Sequence, residues 1–383
     1  NFGPISEEAA AVLPLVATLS NRLSADLVGL NEVAKTLSAV ASISQSKSFA
    51  DLMKSSVAKN ADEIDRNPTV LSANLKQSLQ ALSDSTDFPV LPTNEELELA
   101  FGASAALAFA MWQHFAAVER LSGLPEWQKR NHELWQQIGS CRTLCGLATT
   151  HLARPNGSSV TATALPDGSF QVVGRTPWVC GFGIFEKLLL GFETEESVVF
   201  ALINFPDRAN HTVKIEKSEM ICLEGTATIA LDFQSLIVRA DQVVSFRKKG
   251  TAPPAARPTR YLIPELGIAK RALAEIESLI GKVKHPRMES VAIAHKALSA
   301  RVSAIEDARM SAGSLDKLVV DRDDVNRDSL RLLSLAAGSE SMLAGSSLAR
   351  RHLELIFLDS ILHSPASMTQ KILRTGDLRI PNA

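Results

Sequence analysis

The sequence predicts an α+β protein in three parts: an N-terminal helical domain over residues 1–140, a central β domain over 141–255, and a C-terminal helical bundle over 256–383. Three observations predict it. Residues before 140 are rich in Ala and Leu with few Pro or Gly; from about Gly146 short alternating segments rich in Val, Thr, Phe and Gly take over; after about residue 260 apolar residues return at helical spacing. With 383 residues, 45% of them hydrophobic and 21% charged, the chain is long enough for two or three domains and has the composition of a folded one.

In the first part, local chemistry marks two helix starts. Within "SDSTDFPVLPTNEELELAFG" a Pro-rich break is followed by Thr93 or Asn94 as a cap, with Glu95 and Glu96 suited to the positive end of the helix. "SGLPEW" opens the next helix with Pro125 in its first turn, where the missing N–H costs nothing. In the middle part, "VTATAL" and "SFQVVG" flank Pro166-Asp167-Gly168, a hairpin signature. "KLLLGF", "SVVFALINF" and "ATIALDF" are further strands, and "SLIVRADQVVSF" supplies one or two more. Many short strands closely spaced point to a barrel or sandwich. "RKKGTAPPAARP" then reads as a linker.

In the last part, Leu262, Leu266, Ala269, Leu273, Ile276 and Ile280 form one apolar helical face. Segments 290–311, 324–345 and 346–363 have the same character, and Ser364-Pro365 opens a short final helix through Leu373.

Several function classes are disfavoured by what the chain lacks. Forty basic against 42 acidic side chains give no broad field for nucleic acid. No apolar run approaches the ~20 residues of a membrane span. The opening "NFGPISEEAAAVLPLVATL" has no basic region ahead of its apolar part, so it does not read as a signal peptide, and a cytoplasmic location is expected. Cys141, Cys145, Cys180 and Cys222 have no second ligand pair at zinc spacing, so buried reduced thiols are expected and no metal. There is no P-loop, nucleophile elbow, HExxH or dinucleotide fingerprint; the glycines of "GFGIFEKLLLG" precede a strand, where the fingerprint needs a helix.

The stretch "GRTPWVCGFG", residues 174–183, sets a Trp beside a Cys at a strand-like turn. With its neighbours, "DGSFQVVGRTPWVCGFGIFEKLLLGFE" resembles the central domain of the acyl-CoA dehydrogenase superfamily. Phe170 and Val172 match that family's first strand, Gly174 its turn glycine, Trp178 its tryptophan and Gly181 its closing glycine. Downstream, "KSEMICLEGTATIALDFQSLIVRADQVV" is similar to a second family segment, with Met220, Gly225, Thr226, Thr228, Leu231, Phe233, Val238 and Asp241 in register. The detailed resemblance covers residues 145–245 and is architectural elsewhere.

The resemblance implies FAD, or alternatively FMN, lying across the β domain and the bundle, with Thr149, Trp178, Cys180 and Gly181 at the cofactor. An indole suits a place beside the flavin ring. Cys180 stands where the family has Thr or Ser, and a thiol is a weaker hydrogen-bonding partner. As core residues instead, Trp178 and Cys180 would be a packed aromatic and a small buried hydrophobe. "LATTHLARPNGSS" occupies the family's "LTEPxAGSD" loop but keeps only Thr149 and Ala153; Ser158 and Ser159 are the serines available there to contact a substrate. Pro177 and the Cys180-Gly181 pair fit the related flavin-dependent monooxygenases better. The family's glutamate base has no matching segment, Glu265 does not fit its motif, and the loop for the adenosine side of FAD is replaced by "GKVKHPRMESVAIAHKA".

Independently of any family, His352, Asp359 and His363 fall on one side of the 346–363 helix, a spacing open to two readings. Asp359 could hold His363 in one tautomer for acid–base work, or the three could form a buried network between helices or subunits. His114, in "AMWQHFAAVERL", is a further candidate for substrate contact, with a packed core histidine as the alternative. The resemblance implies a flavin-dependent oxidoreductase, an atypical oxidase or monooxygenase ahead of an acyl-CoA dehydrogenase. Its partners would be a small-molecule or acyl-thioester substrate and a flavin reductase or other electron acceptor, in a homodimer or homotetramer. A flavin-free homologue serving as a binding or scaffold subunit is the alternative from another class.

Overall fold

In a computed structural model, residues 48–153, 159–249, 265–310, 315–342 and 347–361 are described, all within one unit that begins at Lys47. The opening segment, the linker after residue 249, Ser158, His363 and the short helix expected after Ser364 lie outside the described residues, as does the side chain of Asp359.

The first helices follow their local signals. After Phe49–Val57 come α1 (Ala61–Arg66), α2 (Pro68–Ser83), α3 (Asn94–Ala103), α4 (Ala105–Ser122), α5 (Pro125–Arg130) and α6 (His132–Gly139). Thr93 caps α3 in a full capping box with Glu96, and Pro125 sits in the first turn of α5. Helix α4 is apolar around most of its circumference, and Leu107, Met111, Phe115, Val118 and Leu121 are all buried. A helix apolar around most of its surface is held inside the protein. Its C-terminal half packs with Trp127, Trp135 and Ile138 against Leu189, Phe200 and Leu202, joining the helices to the sheet.

Eight strands form one curled sheet: β1 (Cys145–Ala148), β2 (Val160–Ala164), β3 (Phe170–Val179), β4 (Lys187–Glu193), β5 (Ser197–Asn204), β6 (Val213–Lys217), β7 (Ile229–Val238) and β8 (Val243–Lys248). The order is β6-β7-β3-β2-β4-β5-β8, with β1 parallel to β4. Phe170 of β3 touches Phe246 of β8, although three strands separate them in that order, so the sheet bends back on itself. The expected hairpin forms between β2 and β3 around Gly168 at φ 81, with Asp167 Oδ1 accepting from the Ser169 N–H and hydroxyl. "ATIALDF" and "SLIV" join into the single strand β7; β1 and β6 are additions to the strands expected.

Four long helices follow: α7 (Leu266–Ile280), α8 (Arg287–Met310), α9 (Leu315–Ala337) and α10 (Ser347–Ile361). Helix α7 buries Leu266, Ala269, Leu273 and Ile276 of the expected apolar face. It crosses α3 so closely that a side chain at Gly267 would overlap the Glu98 carbonyl. Asn326 of α9 secures the first turn of α7, accepting from Ala269 N–H and donating to the Glu265 carbonyl, each at 3.0 Å. Among the described residues no helix is long and apolar enough to cross a membrane.

Candidate functional site

Strand β3 ends in a distortion. Opposite β7, the pairing runs Thr176 to Leu231 and then Val179 to Ile229, so one extra residue is accommodated before Val179. Trp178 takes the strain: its φ is 63°, a left-handed conformation in which a bulky residue is an outlier. It is also 57% exposed, whereas Trp112, Trp127 and Trp135 are each 8% exposed or less. An exposed indole on an unfavourable backbone is a combination that packing alone does not require.

The residues after Trp178 are fixed firmly. Cys180 is buried, and burial pushes its thiol up to about 12, so it is neutral near pH 7. Gly181 has φ 93°, and a side chain there would overlap the Phe185 ring, so glycine is required twice over. Its N–H donates to the Thr226 carbonyl at 2.7 Å, and the Phe182 N–H donates to the Ala227 carbonyl at 3.2 Å. The acceptors belong to a tight turn, Leu223 to Thr228, braced by its own hydroxyls. Thr226 Oγ1 donates to the Leu223 carbonyl at 2.7 Å, which spends its one hydrogen; the 2.8 Å contact between the two threonine hydroxyls is therefore donated by Thr228. This is the second sequence segment singled out above, and it lies directly against the first.

On the other side, Cys180 and Phe185 pack on Gly146 of β1. Beside it, Cys145 donates its N–H to His114 Nδ1 at 3.1 Å. His114 is fully buried, its Nε2 has no hydrogen-bond partner among the described residues, and burial pushes its pKa down to about 4. With Nδ1 accepting, the neutral ring carries its hydrogen on Nε2. Thr149 is half-buried just beyond β1, and its carbonyl accepts from Leu152 N–H. His151, which follows it, is fully buried: Nε2 lies 2.7 Å from the Gly191 carbonyl and Nδ1 3.0 Å from Thr176 Oγ1. A carbonyl only accepts, so Nε2 bears the hydrogen and Thr176 donates to Nδ1. His151 thereby ties the loop after β1 to β3 two residues before Trp178, a role the sequence did not suggest. Ser159 donates its hydroxyl to the Arg175 carbonyl at 2.6 Å, bracing the same strand further back.

The structure thus gathers His114, Cys180 and Gly181 around the start of β1, and Trp178 at the open end of β3. His352 lies elsewhere, on α10. Its Nε2 is 3.3 Å from Ser334 Oγ of α9, and since that hydroxyl donates to the Leu330 carbonyl, the histidine is the donor. Burial lowers its pKa. Its neighbour Leu353 reaches the site through its carbonyl, 3.4 Å from Cys222 Sγ. Glu265 is buried, its carboxylate 2.6 Å from Arg322 Nη1. Among the described residues no group of three or more His, Cys, Asp or Glu is placed to hold a metal ion.

No protein-family model matches the chain, and no curated protein sequence matches it. Solved structures do. Glutaryl-coenzyme A dehydrogenase in complex with glutaryl-CoA is similar with a TM-score of 0.67 at 11% identity, over 91% of this chain and 97% of that one. Indole-bound TdsC from Paenibacillus sp. A11-2 is similar with a TM-score of 0.63 at 18% identity, over 90% of this chain and 96% of that one. Butyryl-CoA dehydrogenase from Megasphaera elsdenii gives 0.62 at 13% identity, over 86% and 96%. Over nearly its whole length, therefore, the chain has the acyl-CoA dehydrogenase fold.

Proposed function

We propose that the protein is a flavin-dependent oxidoreductase in which the flavin ring lies beside Trp178. The observation that carries this is the exposed indole of Trp178, held on a left-handed backbone at a strand end that is hydrogen-bonded on its far side. That arrangement fits a flat aromatic ligand: the indole offers a large apolar face, and a rigid support reduces the ordering cost of binding. Support comes from the fold, since structures similar to this chain include TdsC with FMN and indole and PigA with FAD. When bound, the flavin supplies the redox chemistry. Gly181 and Phe182 hold the strand end, Thr149 lies in the loop that His151 ties to β3, and the buried Cys180 thiol stays protonated behind it. The reading keeps the division at residues 1–140, 141–255 and 256–383, with the cofactor between the second and third parts.

Within this class we favour an oxidase or monooxygenase over a thioester dehydrogenase. Abstracting a proton α to a thioester needs a carboxylate free to accept it. Two carboxylates of the bundle, Glu265 and Glu354, are buried and engaged by Arg322 and Arg350. The substrate is a small organic molecule near the His114 side of β1. There His114 Nε2–H is a donor with no acceptor among the described residues, and Ser159 lies at the start of the β2–β3 hairpin. His352 serves in this reading to join α9 and α10.

The test is direct. Purified protein titrated with FMN and FAD shows saturable uptake and flavin absorbance, and Trp178→Ala weakens it with little change in thermal stability. Anaerobic reduction of the bound flavin by a flavin reductase with NAD(P)H, and none by acyl-CoA thioesters, supports the oxidase or monooxygenase branch. A wild-type protein that takes up neither flavin refutes the reading and leaves a flavin-free scaffold.

A further inference from the structure

Resting on the flavin reading, we propose that Asp65 of α1 is a positioning residue for the Trp178 strand end, acting through the turn from Cys222 to Thr228. Asp65 is buried, and its Oδ1 accepts the Leu223 N–H at 2.8 Å across a sequence separation of 158 residues. Leu223 and Ala227, at the two ends of the turn, both have left-handed backbones, φ 55° and 47°. Such residues stay put only where neighbours over-determine them. Asp65 does so at one end. In the middle, Gly225 lies so close to the Ile64 carbonyl that no side chain fits between them. At the other end, the Thr226 and Ala227 carbonyls receive the Gly181 and Phe182 N–H groups. Two hydrogen-bonded steps therefore connect a carboxylate on the first described helices to the backbone just beyond Trp178.

The same turn is closed from the bundle. Cys222 Sγ donates to the Leu353 carbonyl of α10, and Arg350 of α10 bonds Asp62 of α1 at 2.6 Å while also holding Glu354. Helices α1 and α10 thus grip the turn together. If α1 had only to pack there, an apolar side chain would serve without the cost of burying a carboxylate. That cost is real, because burial raises the Asp65 pKa despite the Leu223 amide and the Arg350 charge. What an apolar residue cannot provide is an acceptor for an N–H that the left-handed turn directs inward.

The experiment compares wild type with Asp65→Ala and Asp65→Asn. It reads amide hydrogen exchange at Leu223, Gly181 and Phe182, iodide quenching of the one exposed tryptophan, and the dissociation constants for FMN and FAD. Leaving a buried N–H without a partner should speed exchange at those amides and weaken flavin binding by roughly tenfold in Asp65→Ala. Asp65→Asn keeps a carbonyl oxygen for the Leu223 N–H and should restore all three readouts. Two results overturn the proposal: wild-type exchange at Gly181 and Phe182 with wild-type quenching in Asp65→Ala, or no rescue by Asp65→Asn. Should Asp65→Ala not fold, Gly225→Ala, which drives the turn off Ile64, must show the same exchange and quenching pattern, and wild-type behaviour there overturns it. If wild type binds neither flavin, the flavin reading fails, while exchange and quenching still decide the role of Asp65.

Discussion

The end of β3 and the contact between α7 and α9 spend unfavourable interactions in opposite ways. At the first, the strain is in the backbone and the side chain it presents is exposed: Trp178, left-handed and 57% accessible. At the second, charges are buried with no outlet: Arg322 and Glu265 are each 2% accessible, and Arg322 holds Glu265 and Asp323 at 2.6 Å. A buried ion pair with good geometry is a device for joining helices, and it is weak evidence of chemistry. A strained residue that displays a large aromatic face to solvent has no such structural return. On the proposed reading, the strand end serves function and the ion pair serves helix assembly.

Breaking the ion pair should have the largest effect. Arg322→Ala leaves the buried Glu265 without the counter-charge of Arg322 and should cost about 3–5 kcal/mol in chemical denaturation. Flavin affinity, measured under folding conditions, should change little. Comparable affinity loss in Arg322→Ala and in Trp178→Ala would erase the distinction.

Acid sharpens the comparison through His114, beside the strand end. Its pKa is pushed down to about 4 from 6.5 because burial disfavours the charged ring. The unfolded chain therefore binds more protons between these values, so stability is full above pH 6.5 and is lost as pH falls towards 4. The loss should approach roughly 3 kcal/mol at the acid end. His114→Gln should flatten that slope in urea denaturation at a series of pH values; an unchanged slope would place the titration elsewhere.

Gly181→Ala comes next. Its φ of 93° and the Phe185 ring both oppose a side chain, for a cost of about 1–3 kcal/mol in thermal unfolding, accompanied by weaker flavin binding. Smallest, and opposite in sign, is Trp178→Gly. Relieving a left-handed backbone at an exposed position should stabilise the fold by up to about 1 kcal/mol while removing the proposed flavin contact. A variant that gains stability and loses flavin affinity is the clearest sign that the residue is kept for binding.

How much of this was legible in sequence follows the range of the interactions. The Thr93 capping box, Pro125 and the hairpin at Asp167-Gly168 are set by neighbours within a few residues, and each formed where its local pattern put it. Strand β1 is four residues, "CGLA", with no β-branched side chain and no alternation, whereas β6, "VKIEK", does alternate but over only five residues, most of them exposed. "GRTPWVCGFG" was conspicuous in composition, but the left-handed φ of Trp178 belongs to a bulge that needs β7 opposite. The bonds from Asp65 to Leu223 and from Glu265 to Arg322 span 158 and 57 residues, and no periodicity in either segment encodes its partner. His151 is a buried strut between Thr176 and Gly191, 25 and 40 residues away, and nothing in its local sequence encodes either partner.

The most direct test is a fluorescence and absorbance titration of the wild-type protein and Trp178→Ala with FMN and FAD. The account predicts saturable binding of at least one flavin, quenching of the exposed tryptophan on binding, and an affinity at least about tenfold lower without the indole, the scale of a lost aromatic stacking contact. A folded wild-type protein that binds neither flavin, or a Trp178→Ala variant that binds as wild type, would contradict it.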